Sequence, residues 1–237
     1  MGGVMWMVGL LALALTGIAA APVAAQANAC EAELPADASS GDTLERAEAC
    51  FAMVGRLARI EPEVTLRLTL NNVNEALALD PANSAAYALR GRVRTGAGAR
   101  GQAIADFSLA IYLSPETSDY YLGRALAMQL VGDDMGALMD YDAAITLSPQ
   151  AADARFYRGL FYYQREAWEA AQADFEQMLS IDPENADAYE YIGHIHYALG
   201  NMDAALAAYQ RHLEVAVSRS ALVNARVLLL ERESGGE

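Results

Sequence analysis

A ten-residue pattern of polar and apolar positions occurs three times along the chain, at an interval of 34 residues. It is DFSLAIYLSP at 106–115, DYDAAITLSP at 140–149 and DFEQMLSIDP at 174–183. In each copy an aspartate precedes an aromatic residue, alanine or other apolar residues follow, and a proline ends the phrase. Proline stops a helix, so each phrase predicts the second helix of a helical unit. The fixed interval predicts an internal repeat.

The residues before each phrase follow the same interval. In the first full unit, small residues at Gly91, Ala103 and Ala110 alternate with aromatic residues at Tyr87 and Phe107. Equivalent small and aromatic residues recur in three further units, and the last of them lacks its closing proline. Turn-forming sequences such as TGAGARG, VGDD and LGN lie where two helices of one unit would reverse direction.

These residues resemble the tetratricopeptide repeat, a unit of 34 residues with small residues where its two helices touch and aromatic residues between them. The resemblance implies an all-α fold, an α-solenoid of helix-turn-helix repeats with a C-terminal capping helix. The repeats are expected at 84–117, 118–151, 152–185 and 186–219. A degenerate repeat is expected at 44–83, with its first helix at 44–59, and the capping helix and tail at 220–237. Such units are too small to fold alone, so they stack on their neighbours.

The N-terminal segment 1–27 is predicted to be a secretory signal peptide. It is apolar, has no charged residue and ends in small residues that fit an A-x-A cleavage site. A retained membrane anchor is the alternative, because the n-region lacks lysine and arginine and the apolar stretch is long. The prediction is therefore an exported, periplasmic protein, with residues 28–43 as an N-terminal extension.

The two cysteines, Cys30 and Cys50, both follow the predicted cleavage site. An exported chain meets an oxidising environment, so a pair of cysteines predicts one disulfide, which would tie the N-terminal extension to the first helix. Two free thiols, or a lipid on Cys30, are the alternatives.

One arginine and one aspartate keep their places in three repeats. Arg90, Arg124 and Arg158 each precede Asp106, Asp140 and Asp174 by sixteen residues. In the fourth repeat both positions change together, to Ile192 and Ala208, and the degenerate repeat has Arg56 and Asn72. Because the two positions change together, we interpret them as an Arg–Asp pair. The planar guanidinium of arginine suits this role, since it can bind a carboxylate with two hydrogen bonds. The pairs are interpreted as structural.

Composition and motifs argue against an enzyme. All sixteen basic residues are arginines, so no phosphate-binding G-x-x-x-x-G-K-[ST] loop exists, and no nucleophile elbow occurs. Of the three histidines, His196 is expected to approach His212 in a packing role rather than to bind a metal. No cofactor and no metal are expected. The net charge of −15, without a basic run, argues against nucleic acid as a partner.

The resemblance implies a protein or peptide partner, bound on a concave groove built by the first helix of each repeat. The groove positions it assigns are Arg92; Leu122, Leu126 and Gln129; Phe156, Leu160 and Tyr163; and Glu190, His194 and Tyr197. The lack of lysine excludes the carboxylate clamp of chaperone-binding members. Alternatives are a groove filled by the chain's own N-terminal segment or closing helix, a self-assembling homo-oligomeric scaffold, and an accessory subunit of an envelope complex.

Overall fold

The computed structural model describes residues 37–56, 62–216 and 220–234, and the predicted signal peptide and Cys30 lie outside these ranges. The described residues form eleven α-helices and no strand. None of these helices is both long enough and apolar enough to span a lipid bilayer. The fold is all-α, as the repeat pattern predicts.

The helices follow one another in pairs, with short turns between them. In chain order they are α1 Ser40–Arg56, α2 Pro62–Leu79, α3 Ser84–Gly96, α4 Arg100–Leu113, α5 Ser118–Val131, α6 Asp134–Leu147, α7 Ala152–Gln164, α8 Trp168–Ile181, α9 Ala186–Ala198, α10 Met202–Val215 and α11 Ala221–Ser234.

The helix ends follow from local chemistry. The side chains of Asn83 and Asn185 accept hydrogen bonds from Ala86 and Ala188, and so cap α3 and α9. After α5, Gly132 adopts φ of 83°, a left-handed conformation that glycine reaches without strain.

Helix α1 begins earlier than the sequence predicted. We expected it at 44–59, after an N-terminal extension that ends at 43, but it starts at Ser40. The Ser39 hydroxyl accepts from the Asp42 backbone N–H at 3.3 Å, and the Asp42 carboxylate accepts from the Ser39 N–H at 2.8 Å. This reciprocal capping box fixes the start of the helix within residues that were assigned to the extension.

The chain divides into two compact units, and the boundary falls inside α6 between Asp140 and Tyr141. In the first unit, α1, α2 and α3 enclose a core that includes Ala47, Val73 and Leu89. Phe107 of α4 fills a second core together with alanines of α3, α4 and α5. In this unit, α3 therefore packs on its own second helix, α4, and on the preceding repeat.

In the second unit, α7 to α10 share a core in which Phe175 and Ile195 are fully buried. Helix α11 closes this unit, since its Val223, Val227 and Leu230 pack on Tyr209 and other residues of α10. Tyr209 is fully buried as a result. The last helix thus covers an apolar surface that α10 would otherwise expose.

Candidate functional site

Each recurring arginine of the first unit donates hydrogen bonds to its aspartate from two nitrogens. Arg90 donates from Nη2 to Asp106 Oδ1 at 2.8 Å and from Nε to both carboxylate oxygens at 3.1 Å. Arg94 adds a bond to Asp106 Oδ2 at 2.6 Å. Arg124 donates from Nε and Nη2 to the two oxygens of Asp140, at 2.6 and 2.8 Å. These fork-to-carboxylate contacts join the two helices of one repeat.

The second unit contains the same contact. Arg158 donates from Nε and Nη2 to the two oxygens of Asp174, at 2.9 and 2.6 Å. The hydrogen bonds to Asp174, which outweigh the effect of burial, raise the pKa of Arg158, and those to Asp140 raise the pKa of Arg124. The three aspartates are buried, while about a fifth of each arginine side chain stays exposed.

A further contact of these arginines was not predicted. Nη1 of each one reaches the second helix of the preceding repeat, sixteen residues earlier, where it meets Asn74, Ser108 and Asp142 respectively. Each acceptor lies two residues after the Asn72, Asp106 or Asp140 position, and all three are polar. That recurrence was visible in the sequence. One side chain therefore holds the two helices of its repeat and the neighbouring repeat together.

The repeats at the two ends satisfy these positions differently. In the fourth repeat Ile192 and Ala208 are both buried in the apolar core of the second unit. In the degenerate repeat Asn72 accepts from Arg46 Nη2 at 2.7 Å. The repeat pattern pairs Arg56 with Asn72, but the side chain of Arg56 lies outside the described residues.

The groove positions of the first unit are moderately accessible. Leu122, Leu126 and Gln129 of α5 are half-buried, and Arg92 of α3 is exposed. The guanidinium of Arg92 lies over the ring of Phe51, 4.9 Å from its centroid. This part of the predicted groove is mainly aliphatic, with one arginine.

The groove positions of α7 form part of an aromatic cluster. Phe156 contacts the rings of Phe175 and Tyr191 edge to face, with centroids 6.1 and 5.9 Å apart. Tyr163 contacts Trp168 and Tyr191 at 5.4 and 5.3 Å. Together with Leu160 they are half-buried against the core of the second unit. These rings therefore support the fold and also present a face to solvent.

The groove positions of α9 add polar groups to this cluster. Oε1 of Glu190 lies 3.8 Å from His194 Nε2, and Oε2 lies 3.8 Å from His212 Nδ1. His212 Nδ1 is also 2.9 Å from the carbonyl oxygen of Ala186, so this nitrogen carries a proton. The Nε2 atoms of His194 and His212 are buried and have no hydrogen-bond partner among the residues that the structure describes. His194 and His212 therefore both lie beside the carboxylate of Glu190. The approach of His196 to His212 stays a prediction.

Two residues beyond the predicted set border the same surface. Arg226 of α11 donates to the Tyr209 hydroxyl at 3.0 Å and stacks on Tyr197, with its central carbon 4.5 Å from the ring centroid. Tyr191 stacks on Phe175 at 5.2 Å. Neither residue occupies the repeat positions that the family resemblance assigns to the groove. Comparison of the repeats could not point to Arg226, because α11 is a single helix that is not part of a helix pair.

Burial governs the electrostatics of this surface. It lowers the pKa of His194 to about 4, and the nearby charges of Arg226 and His212 act in the same direction. Burial also raises the pKa of Glu190 and raises that of Tyr191 to about 12. His194 is therefore a neutral imidazole near pH 7.

The predicted disulfide involves one described residue. Cys50 is fully buried, and its sulfur lies 3.6 Å from the side-chain nitrogen of Asn72. Its predicted partner, Cys30, lies outside the described ranges, so the disulfide stays a prediction. Within those ranges, no three His, Cys, Asp or Glu side chains are grouped so as to hold a metal ion.

The paired helices and their repeated contacts define the class as an all-α helical-repeat protein. Two family models of the tetratricopeptide repeat match residues 131–183 and 162–226. Residues 131–226 of this chain are therefore similar to the tetratricopeptide repeat. No curated protein sequence matches it.

Solved structures share the fold at low sequence identity. TTC0263, a thermophilic tetratricopeptide repeat protein of Thermus thermophilus, is 19% identical with a TM-score of 0.59, over 81% of this chain and 98% of that chain. YrrB, described as having an unusual peptide-binding site, is 19% identical with a TM-score of 0.54, over 84% and 99%. PilW, a type IV pilus biogenesis factor, is 14% identical with a TM-score of 0.64, over 80% and 86%. At these identities the likeness establishes the fold alone.

Proposed function

We propose that the chain is a non-catalytic adaptor that binds a protein or peptide partner on the first helices of its repeats. The observation that carries this proposal is the half-buried aromatic surface of α7 and α9, in which Phe156 and Tyr163 each contact the ring of Tyr191. Aromatic residues at the centre of an interface contribute most of its binding energy. Because these rings are already held by their neighbours, they lose little conformational freedom when a partner binds.

Two general features support this function. Tetratricopeptide repeats generally serve protein interaction, and the similar YrrB is described as having a peptide-binding site. The sequence points the same way, since it contains neither a lysine for a phosphate-binding loop nor a nucleophile elbow. We therefore assign recognition rather than catalysis to this surface.

A peptide selection tests the proposal. A library of random decapeptides displayed on phage is selected on the immobilised full chain, and the enriched peptides are then titrated against two variants. Leu160 and Leu179 are both half-buried against the same core, but Leu160 lies on the first helix of its repeat and Leu179 on the second. Leu160→Gln is expected to weaken binding by about tenfold or more, as for an interface centre, and Leu179→Gln to leave it nearly unchanged.

Thermal unfolding of both variants provides the control. The two substitutions remove similar apolar contacts, so they are expected to lower the melting temperature by similar amounts. Equal loss of binding in both variants, or a library without any enriched peptide, would contradict the proposal.

The proposed setting is the periplasm, reached through cleavage of residues 1–27. In that setting Cys30 and Cys50 would close a loop of about twenty residues, worth roughly 3 kcal/mol in the chain-entropy model. Mass spectrometry of the exported protein without reductant is expected to find one peptide that joins the two cysteines. Two alkylatable thiols would argue against the bridge, and a diacylglycerol mass on Cys30 would indicate a lipoprotein instead.

Self-assembly is a second candidate function, and the outer side of α11 favours it. Leu222, Leu228 and Leu229 are 53%, 64% and 45% exposed on the helix that closes the second unit. A terminal repeat ordinarily presents a polar face to water. Light scattering during size-exclusion chromatography would show a concentration-dependent mass if this face pairs with a second copy. Leu222→Glu with Leu229→Glu would then give a monomer, whereas a monomer at every concentration excludes this candidate.

A further inference from the structure

The carboxylate of Glu190 has unused capacity to accept hydrogen bonds. It is 22% exposed and accepts no hydrogen bond from any residue in the described part of the chain. Its two contacts, with His194 and His212, are each 3.8 Å long, which exceeds hydrogen-bond distance. It forms no ion pair with an arginine of that part. A partly exposed carboxylate that accepts from no side chain keeps its lone pairs available for a donor that a ligand brings.

The position of Glu190 links it to the proposed binding surface. Glu190 stands 34 residues after Phe156 and therefore occupies the same place on α9 that Phe156 occupies on α7. Its neighbour His194 belongs to the aromatic cluster, since the His194 ring lies 5.8 Å from that of Tyr191 and 5.6 Å from that of Tyr209. The negative charge of Glu190 is also among the influences that raise the pKa values of Tyr163, Tyr191 and Tyr209, after burial.

The charge around Glu190 favours a cation. The second unit, residues 141–237, has fifteen acidic residues against seven arginines. After burial and His212, the next influence on the pKa of Glu190 is the like charge of Asp187, one turn earlier on α9, and Arg226 has the smallest effect. Arg226 itself is held by the Tyr209 hydroxyl and the Tyr197 ring. A ligand cation at Glu190 would therefore meet a carboxylate with a second acidic residue nearby, beside the half-buried rings of Tyr163 and Tyr191 that contact His194.

We propose that Glu190 determines the specificity of this surface by receiving the ammonium or guanidinium group of a lysine or arginine in the bound peptide. The proposal rests on the function proposed above, since it names the chemistry of the partner for the same helices. Phe156 and Tyr163 would contact apolar residues of the peptide, and Glu190 would select the basic residue that accompanies them.

The same phage selection tests this proposal through the composition of the enriched peptides. Lysine or arginine is expected to be enriched at one position relative to the starting library. Replacing that residue by norleucine is expected to weaken binding to the wild-type chain by about tenfold, and to Glu190→Gln by less than about twofold, because the pair is then absent. Glu184→Gln, at an exposed acidic position of the same unit, is expected to behave like the wild type.

A measurement on the wild-type chain alone complements the variants. Binding of the lysine or arginine peptide is expected to weaken as sodium chloride rises from about 50 mM to about 500 mM, while binding of the norleucine peptide changes little. Glu190 has no hydrogen-bond partner to lose within the described residues, so Glu190→Gln is expected to melt close to the wild type.

The possible outcomes separate the two proposals. The role of Glu190 is overturned, while peptide binding stands, if the enriched peptides contain no basic residue. It is also overturned if replacing their basic residue weakens binding to Glu190→Gln as much as binding to the wild type. Enrichment of acidic residues whose effect depends on Arg226 likewise overturns it, and assigns the surface to an acidic partner. A library that yields no binder contradicts both proposals.

Discussion

At the scale of single residues, the arginine clamps explain why two distant positions change together. Arg124 places its charge between Asp140 of its own repeat and Ser108 of the preceding one. Loss of either charged partner leaves the other without compensation in a place where water reaches it poorly. An apolar pair such as Ile192 and Ala208 avoids the problem, because neither residue needs a partner. The repeat can therefore carry both residues of the ion pair or neither.

Arg124→Ile is expected to lower the free energy of unfolding by about 3 kcal/mol, since it leaves the buried Asp140 carboxylate unpaired. Adding Asp140→Ala, which reproduces the apolar pair of the fourth repeat, is expected to restore much of that loss. Urea denaturation of the two single variants and the double variant measures the coupling. Arg211→Ile, which removes an exposed pair with Glu214, is the control and is expected to change little. Additive losses across the cycle would show that Arg124 and Asp140 do not interact.

His194 is expected to make stability depend on pH. Burial lowers its pKa to about 4. Between its ordinary pKa of about 6.5 and that value, the unfolded chain binds a proton that the folded chain does not, so acid favours unfolding. Stability is therefore expected to fall as the pH drops from about 7 to about 4. Glu190 acts in the opposite sense, because its raised pKa favours the folded state once it is protonated.

Comparison of the wild type with His194→Gln isolates this effect. Glutamine does not titrate, so the variant is expected to lose less stability than the wild type over the same range of pH, as measured by thermal unfolding at each pH. Parallel curves for the two proteins would mean that His194 is protonated as easily in the folded chain as in the unfolded one.

The sequence predicted some contacts of these residues and missed others. The Arg–Asp spacing was visible because the repeats can be compared with one another. The link from Nη1 to Asn74, Ser108 and Asp142 was missed because the comparison paired positions only within a repeat. The contacts of His194 and His212 with Glu190 depend on side-chain directions that the sequence pattern does not show. The contacts of Arg226 depend on the closing helix, which has no equivalent in the other repeats.

At the scale of helices, small residues set how closely two elements approach. A β-carbon on Gly193 of α9 would lie 2.5 Å from the ring of Tyr209 of α10, which is fully buried and cannot move aside. The periodic glycine and aromatic positions predicted this contact, since both recur with the repeat. The start of α1 at Ser40 could not be read from periodicity, because it depends on the capping box of Ser39 and Asp42.

Gly193→Ala is therefore expected to destabilise the protein by about 1–3 kcal/mol through overpacking. Gly101→Ala is the matched change in α4, where nothing lies within 4 Å of the added carbon. It is expected to stabilise by about 0.5–1 kcal/mol, because alanine restricts the unfolded chain and favours helix. Chemical denaturation of both variants measures the difference. An unchanged stability of Gly193→Ala would show that the α9–α10 contact yields to the larger residue.

At the scale of the whole molecule, the 34-residue interval was sufficient to predict the fold class. It could not predict which parts of the first helices stay accessible, because accessibility depends on how deeply each ring packs. Phe156 and Tyr163 illustrate this point, since they occupy predicted groove positions and yet also contact Phe175 and Trp168. The identity of a partner depends on chemistry outside the chain, and the net charge of −15 only favours a basic one.

Amide hydrogen exchange of the full chain, with and without the tightest peptide from the selection, tests the central claim most directly. A peptide bound to the first helices of the second unit is expected to slow exchange in α7 and α9. The second helices α4, α8 and α10 serve as internal controls and are expected to exchange at unchanged rates. Two results would contradict recognition by the first helices. One is slowed exchange that is confined to the second helices, and the other is unchanged exchange throughout the protein although the peptide is bound.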